Sequence, residues 1–120
     1  MTQPGYKIDI MATSLDAACD EYPSAFRGRQ PSPMEGKSLV PILHGQRRTG
    51  HEIMAWNCSR GREIRTGQWK LVRHRDEPDR ERYEISADGG EIRNLASSFP
   101  LRAQKMSEQY ETWRQRVGAK

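Results

Sequence analysis

Seven basic side chains crowd one stretch, Arg60, Arg62, Arg65, Lys70, Arg73, His74 and Arg75, with Trp56 and Trp69 beside them. Such a set can neutralise phosphates or sulfates, and a tryptophan face can stack a base. No recognised nucleic-acid motif accompanies it, and strand alternation turns arginines to solvent in many ordinary sheets. No nucleic-acid partner is expected. The other reactive types are sparse. His44, His51, His74, Cys19 and Cys58 are spaced unlike any zinc site, and no Asp-x-Asp-x-Asp run offers a calcium loop. A Ser-His-Asp hydrolase elbow of the G-x-S-x-G kind is missing. Two cysteines make no disulfide framework, so free thiols are expected, with a single bridge as the alternative. Asn57-Cys58-Ser59 fits a glycosylation sequon, relevant only on a eukaryotic secretory route. Residue types and spacing therefore assign no catalytic residue and no metal ligand.

The elements that must position these residues follow from periodicity. Ile8, Met11, Ala12, Leu15, Ala18 and Cys19 recur as one face of a helix, with Asp9, Ser14, Asp16 and Asp20 largely on the other, and Pro23 is expected to stop it. A proline-rich loop runs to Lys37. Ser38 to Gly45 reads as one short helix, capped by Ser38 and closed by Gly45, with Pro41 in its first turn. From His51 to Asn57 the chain alternates, Ile53 and Ala55 against Met54 and Trp56. Residues 62–65 and 68–73 form a hairpin about Thr66-Gly67, where glycine supplies a positive φ. Asp76-Glu77-Pro78-Asp79 turns the chain into Glu81–Ser86, with Tyr83 and Ile85 on one side. A last helix starts near Ser98, a serine cap, and Pro100. Its stripe Ala103, Met106, Tyr110, Trp113 and Val117 is packing surface, expected to bury Trp69, Leu71, Tyr83 and Ile85. The predicted fold is α+β: a small antiparallel sheet of three to four strands packed by a C-terminal helix, preceded by an N-terminal helix and a long loop.

Composition bounds the rest. At 120 residues the chain can bury roughly 60–70% of its unfolded surface. It is 34% hydrophobic and 30% charged, with a formal charge of +4 and a mean hydropathy of −0.96. That excess is a mild one, common on solvated mixed-charge surfaces. No run approaches the roughly 18 apolar residues of a membrane span, so no membrane partner is expected. Met1 to Lys7 does not read as a signal peptide, which says nothing of a longer parent protein.

Several blocks in order carry a resemblance. Thr66-Gly67-Gln68-Trp69-Lys70-Leu71-Val72 resembles a "GKWKLV" strand, and Asp88 to Ala96 resembles the end of "LYDLxxDPxExxNLA". Gly5 to Asp16 resembles "PGHxIDIMATxLDxAG". Glu21-Tyr22-Pro23 and Met34 to Leu43 resemble "EYP…PLEGKSLxPLL". His51, Glu52 and Trp56 match "HExxxWE", and Arg62 with Arg65 matches "GNRAxRxGxWKLV". Together they are similar to the C-terminal end of an arylsulfatase of the type I, formylglycine-dependent family. Departures are Tyr6 for a common histidine, Cys19 for the usual glycine, Cys58 and Arg60-Gly61 for "HEGN" residues, and Arg82-Tyr83-Glu84-Ile85 for "LYDL".

The resemblance implies an alkaline-phosphatase-like parent, a sulfuric ester hydrolase. Its calcium and its formylglycine, made within C-x-P-S-R, belong to an N-terminal catalytic domain. A sulfate ester would be its substrate, and a periplasmic or secreted location would suit it. Residues 1–49 would end the catalytic-domain region, and 50–120 would form the C-terminal subdomain. No cofactor is expected on this chain. Cys58-Ser59-Arg60-Gly61-Arg62 departs from the modification motif, because Arg60 replaces its proline, and Cys58 reads as an exposed hairpin-edge thiol. Trp56, Asn57 and Arg62 are the residues the resemblance puts at a substrate rim, where a sulfated glycan or aryl sulfate would meet the basic cluster. The leading expectation is a fragment, inactive alone, that buttresses the catalytic domain. Its rival is a free-standing, non-enzymatic module binding polyanions through a basic sheet face.

Overall fold

A computed structural model of the chain describes residues 4–59, 61–74, 84–85 and 98–119, with only the backbone of 84–85. It is α+β and divides into two compact units, Met1–His51 and Glu52–Lys120.

The first unit holds helices α1 (Asp9–Ala17) and α2 (Val40–Leu43). α1 ends six residues short of Pro23, so proline is not its stop. Cys19 adopts φ 53°, and the Asp20 N–H donates to Leu15 O while the Cys19 N–H donates to Asp16 O. This is a left-handed helix ending that favours glycine, here built on cysteine. α2 closes in the same way at Gly45, φ 74°, with Gln46 N–H to Pro41 O and Gly45 N–H to Ile42 O. Ser38 Oγ accepts from the Val40 N–H at 3.1 Å, although Leu39 is the residue that begins the helix.

The burial of α1 reverses the sequence reading. Asp9, expected on the polar outer face, has no exposed surface, and Ala12 is its one buried apolar residue. Ile8, Ile10 and Met11 are 40, 63 and 57% exposed. The cause is a polar stripe at Asp9, Thr13 and Asp16, one face of the helix by spacing, which takes up residues 37–39. Thr13 Oγ1 accepts from the Leu39 N–H at 3.0 Å, and Ser38 Oγ donates to Asp16. Gly36 permits this approach, since a Cβ there would collide with the Ile8 carbonyl oxygen.

The second unit is a four-stranded antiparallel sheet in the order β1 (Ile53–Cys58), β2 (Gly61–Thr66), β3 (Trp69–His74), β4 (Glu84–Ile85), with α3 (Pro100–Val117). Gly67, φ 59°, turns β2 into β3 and sets the pairs Thr66↔Trp69 and Ile64↔Leu71, so the two turn residues are Gly67-Gln68, one position later than the expected Thr66-Gly67, because Thr66 still pairs within the sheet. Ala55, Ile64 and Leu71 fall in one cross-strand row and pack against Ala103, Met106 and Tyr110 of α3. Ile53, Trp69 and Trp113 flank that core. Met54 is buried but lies outside this cluster. Val117, expected in the stripe, is 43% exposed. The N-cap of α3 is Phe99 with no side-chain capping bond, so Ser98 does not cap it. Leu71 pairs with Ile85, while Tyr83, the side chain of Ile85 and the turn at Asp76–Asp79 lie outside the described residues.

Candidate functional site

The chemically densest place in the first unit surrounds Asp9. Its Oδ1 accepts from the Lys37 N–H at 2.9 Å and from His51 Nε2 at 2.6 Å. Its Oδ2 accepts from the Tyr6 N–H and from Arg48 Nη2, each at 2.9 Å. The Asp9 N–H in turn donates to Tyr6 O at 2.8 Å, which closes the turn of residues 6–9 that leads into α1. Arg48 also donates to the carbonyls of Lys37 and Pro4, and Lys37 Nζ donates to Gly50 O at 2.6 Å. The Tyr6 ring meets the His51 ring edge-on at 5.5 Å. The sequence separations run to 42 residues, so one carboxylate ties the start of α1 to residues 37, 48 and 51.

Burial pushes the Asp9 carboxyl upward, but the Lys37 N–H, His51, the Tyr6 N–H and Arg48 outweigh it and hold the group well below the usual carboxylate range. The ionised carboxylate only accepts, so His51 Nε2 carries the proton between them. Four donors fill the two oxygens. No lone pair is left to ligate a metal or to take a proton from a substrate, so Asp9 fits a structural clasp and not a metal ligand or base.

The remaining reactive residues are dispersed. His44 caps the end of α2 and is exposed, and His74 ends β3. Cys19 and Cys58 are free and exposed. Among the described residues no group of three His, Cys, Asp or Glu side chains comes together. No helix of the described residues is long and apolar enough to cross a membrane.

The rim candidates divide between the faces of the sheet. Asn57 and Arg62 are a cross-strand pair in the row parity of Ala55 and Ile64, on the face that α3 covers. Trp56 pairs with Glu63 on the opposite face. Arg62 turns to the helix: it lies 3.5 Å from Glu111 and 6.0 Å above the Tyr110 ring. The Tyr110 hydroxyl is raised by burial, and Arg62 opposes that rise. The basic cluster divides likewise. Arg62 and Arg73 share the helix-facing side, whereas Arg65 and Lys70 form a pair on the other, where Lys70 reaches Glu63 at 3.1 Å. Arg60 and Arg75 lie outside the described residues.

The Asp9 clasp escaped sequence reasoning because each member looked ordinary by itself. A usable signal was present: aspartate, threonine and aspartate at positions 9, 13 and 16 repeat at helical spacing, as a buried stripe does. No family model matches the chain.

Proposed function

We propose that this chain is the C-terminal segment of an arylsulfatase-like sulfuric ester hydrolase, acting as a buttress for a catalytic domain that holds the formylglycine and the calcium. One observation carries the reading. α1 spends its polar stripe on contacts within its own unit and leaves Ile8, Ile10 and Met11 exposed. A helix so oriented has an apolar face suited to a larger body, and exposed apolar patches of this kind mark interfaces. Cys19 supports the same reading from another side. Its left-handed backbone lies at the position where the family motif resembled here has glycine. In this role Trp56, Asn57 and Arg62 are the residues nearest a substrate entrance, and hydrolysis of the sulfate ester belongs to the parent enzyme.

The test is the reading frame upstream of Met1 in the genome. An open frame carrying C-x-P-S-R and paired aspartates supports the proposal, and an unrelated neighbouring gene overturns it. The purified chain supplies a second arm. It should show no turnover of 4-nitrophenyl sulfate, with or without calcium and a formylglycine-generating enzyme. Metal-dependent turnover abolished by Cys58→Ala would overturn the assignment of chemistry to another domain. The rival, a polyanion-binding module, requires one continuous basic face, and the alternation of Arg62 and Arg73 against Arg65 and Lys70 does not favour it.

A further inference from the structure

A groove of about 580 Å³ opens in the second unit between the start of α3 and the Thr66–Trp69 end of the β2–β3 hairpin. That volume falls within the roughly 300–1,000 Å³ of small-molecule sites. Trp69, Phe99 and Met106 give it an apolar wall, with the two rings 5.3 Å apart and edge-on. Arg102 and Lys105 complete the lining, and among the described residues no acidic side chain contributes to it. The Arg102 guanidinium sits 4.3 Å above the Trp69 ring, which fixes its position while leaving its N–H edges for an acceptor. Neither cation forms an ion pair with any described residue.

Three further features make this an unbalanced positive site. α3 begins with no capping bond from its N-cap side chain and no acidic residue in its first turn, so its own first residues offer no acceptor to the N–H groups there. The positive end of an 18-residue helix is unfavourable ground for Arg102, in its first turn, and an anion there would relieve it, with Lys105 one turn further on. Finally, Thr66 Oγ1, on the sheet side of the groove, is shielded from solvent and has no hydrogen-bond partner. A buried hydroxyl left unmatched in this way is rare and points to a missing polar group.

We propose that this groove binds a small organic anion with a flat apolar body and a carboxylate-type head, the body against Trp69, Phe99 and Met106 and the head between Arg102, Lys105 and the start of α3. The proposal rests on the second unit alone and holds whether or not the chain belongs to a hydrolase.

The probe is 2-naphthoate, titrated into the full chain and followed by calorimetry and by the NMR resonances of the Trp69 indole and of residues 99–106. Saturable one-to-one binding with shifts confined to those signals is expected. The isosteric neutral 2-naphthamide should bind at least about tenfold more weakly, because the charged head carries the recognition. Arg102 and Lys105 are exposed, so Arg102→Gln and Lys105→Gln should leave the fold intact and each weaken 2-naphthoate about tenfold. Arg116→Gln, an exposed cation at the other end of α3, should change nothing. Absence of saturable shifts at Trp69 up to millimolar probe, equal binding of the amide, or indifference to the two charge-removing substitutions each overturns the proposal.

Discussion

Replacing Asp9 by asparagine should release α1 from residues 36–51 while leaving the sheet unit folded. Asparagine keeps one acceptor oxygen and places an NH2 where the other oxygen was. That NH2 must then face either the Lys37 N–H with His51 or the Tyr6 N–H with Arg48, donors against donors. Arg48 and Asp9 have side chains 4 and 0% exposed, so the charge left behind stays buried. Removing one partner of such a pair costs about 3–5 kcal/mol. Ala12 is the one buried apolar side chain among the unit's described residues, so little hydrophobic burial is available to offset the loss. Hydrogen exchange reads this directly, with the β3 amides as internal reference. In the unmodified chain α1 should already open before β3. Asp9→Asn should speed exchange of residues 9–17 about a hundredfold or more and leave β3 unchanged. The pH dependence follows from the depressed pKa of Asp9. Its contribution is complete above the unfolded carboxylate value of about 3.9 and is lost as pH falls toward the lower folded value. Protection of α1 should therefore decline below about pH 4 in the unmodified chain and stay flat over that interval in Asp9→Asn. A substitution that changes α1 exchange by less than about threefold would refute the clasp, since that corresponds to well under 1 kcal/mol.

Other substitutions probe the remaining links. Ile64→Ala should cost about 2–5 kcal/mol in urea denaturation of the sheet unit, because Ile64 is 1% exposed at the centre of the core. Trp113→Ala should cost about 3 kcal/mol, the low end for a large aromatic residue, because Trp113 only flanks that core. Cys19→Gly should stabilise the first unit by about 0.5–1 kcal/mol, relief of left-handed strain exceeding the entropy that glycine adds to the unfolded chain. Gly36→Ala should speed α1 exchange without touching β3, since the added methyl drives residue 36 away from the Ile8 carbonyl.

The sheet unit was readable because its signals are local. Alternation at residues 53–56, glycine at a two-residue turn and the stripe Ala103, Met106, Tyr110 each report burial through nearest neighbours, and β1–β3 and α3 form where they indicate. The errors at its edges are also local. Ser98 was a plausible cap, but Phe99 takes that position, and Val117 lies one turn beyond the reach of the sheet. The first unit was misread for a different reason. Hydrophobic periodicity assumes that apolar side chains find apolar partners, and residues 18–51 supply almost none that are buried. With the usual driving force absent, satisfied hydrogen bonds and ion pairs decide which face of α1 turns inward. Partners 28 to 42 residues away made Asp9 central, and no window along the sequence reveals such a set.

The clasp and the exposed face of α1 are two aspects of one arrangement. A helix held through apolar contacts loses its apolar face to its own unit. Held instead through Asp9, Thr13 and Asp16, α1 is positioned by directional bonds and keeps Ile8, Ile10 and Met11 outward. Polar bonds to backbone groups at Tyr6, Lys37 and Leu39 also fix the rotation of the helix about its axis, which non-directional hydrophobic contact does less well. An apolar face presented at a fixed rotation is what docking against a preformed surface requires, because little ordering remains to oppose association. In the proposed buttressing role the buried carboxylate would set the docking face and take no part in the reaction. Asp9→Asn in the proposed parent enzyme should then loosen the seating of the segment before it alters the chemistry.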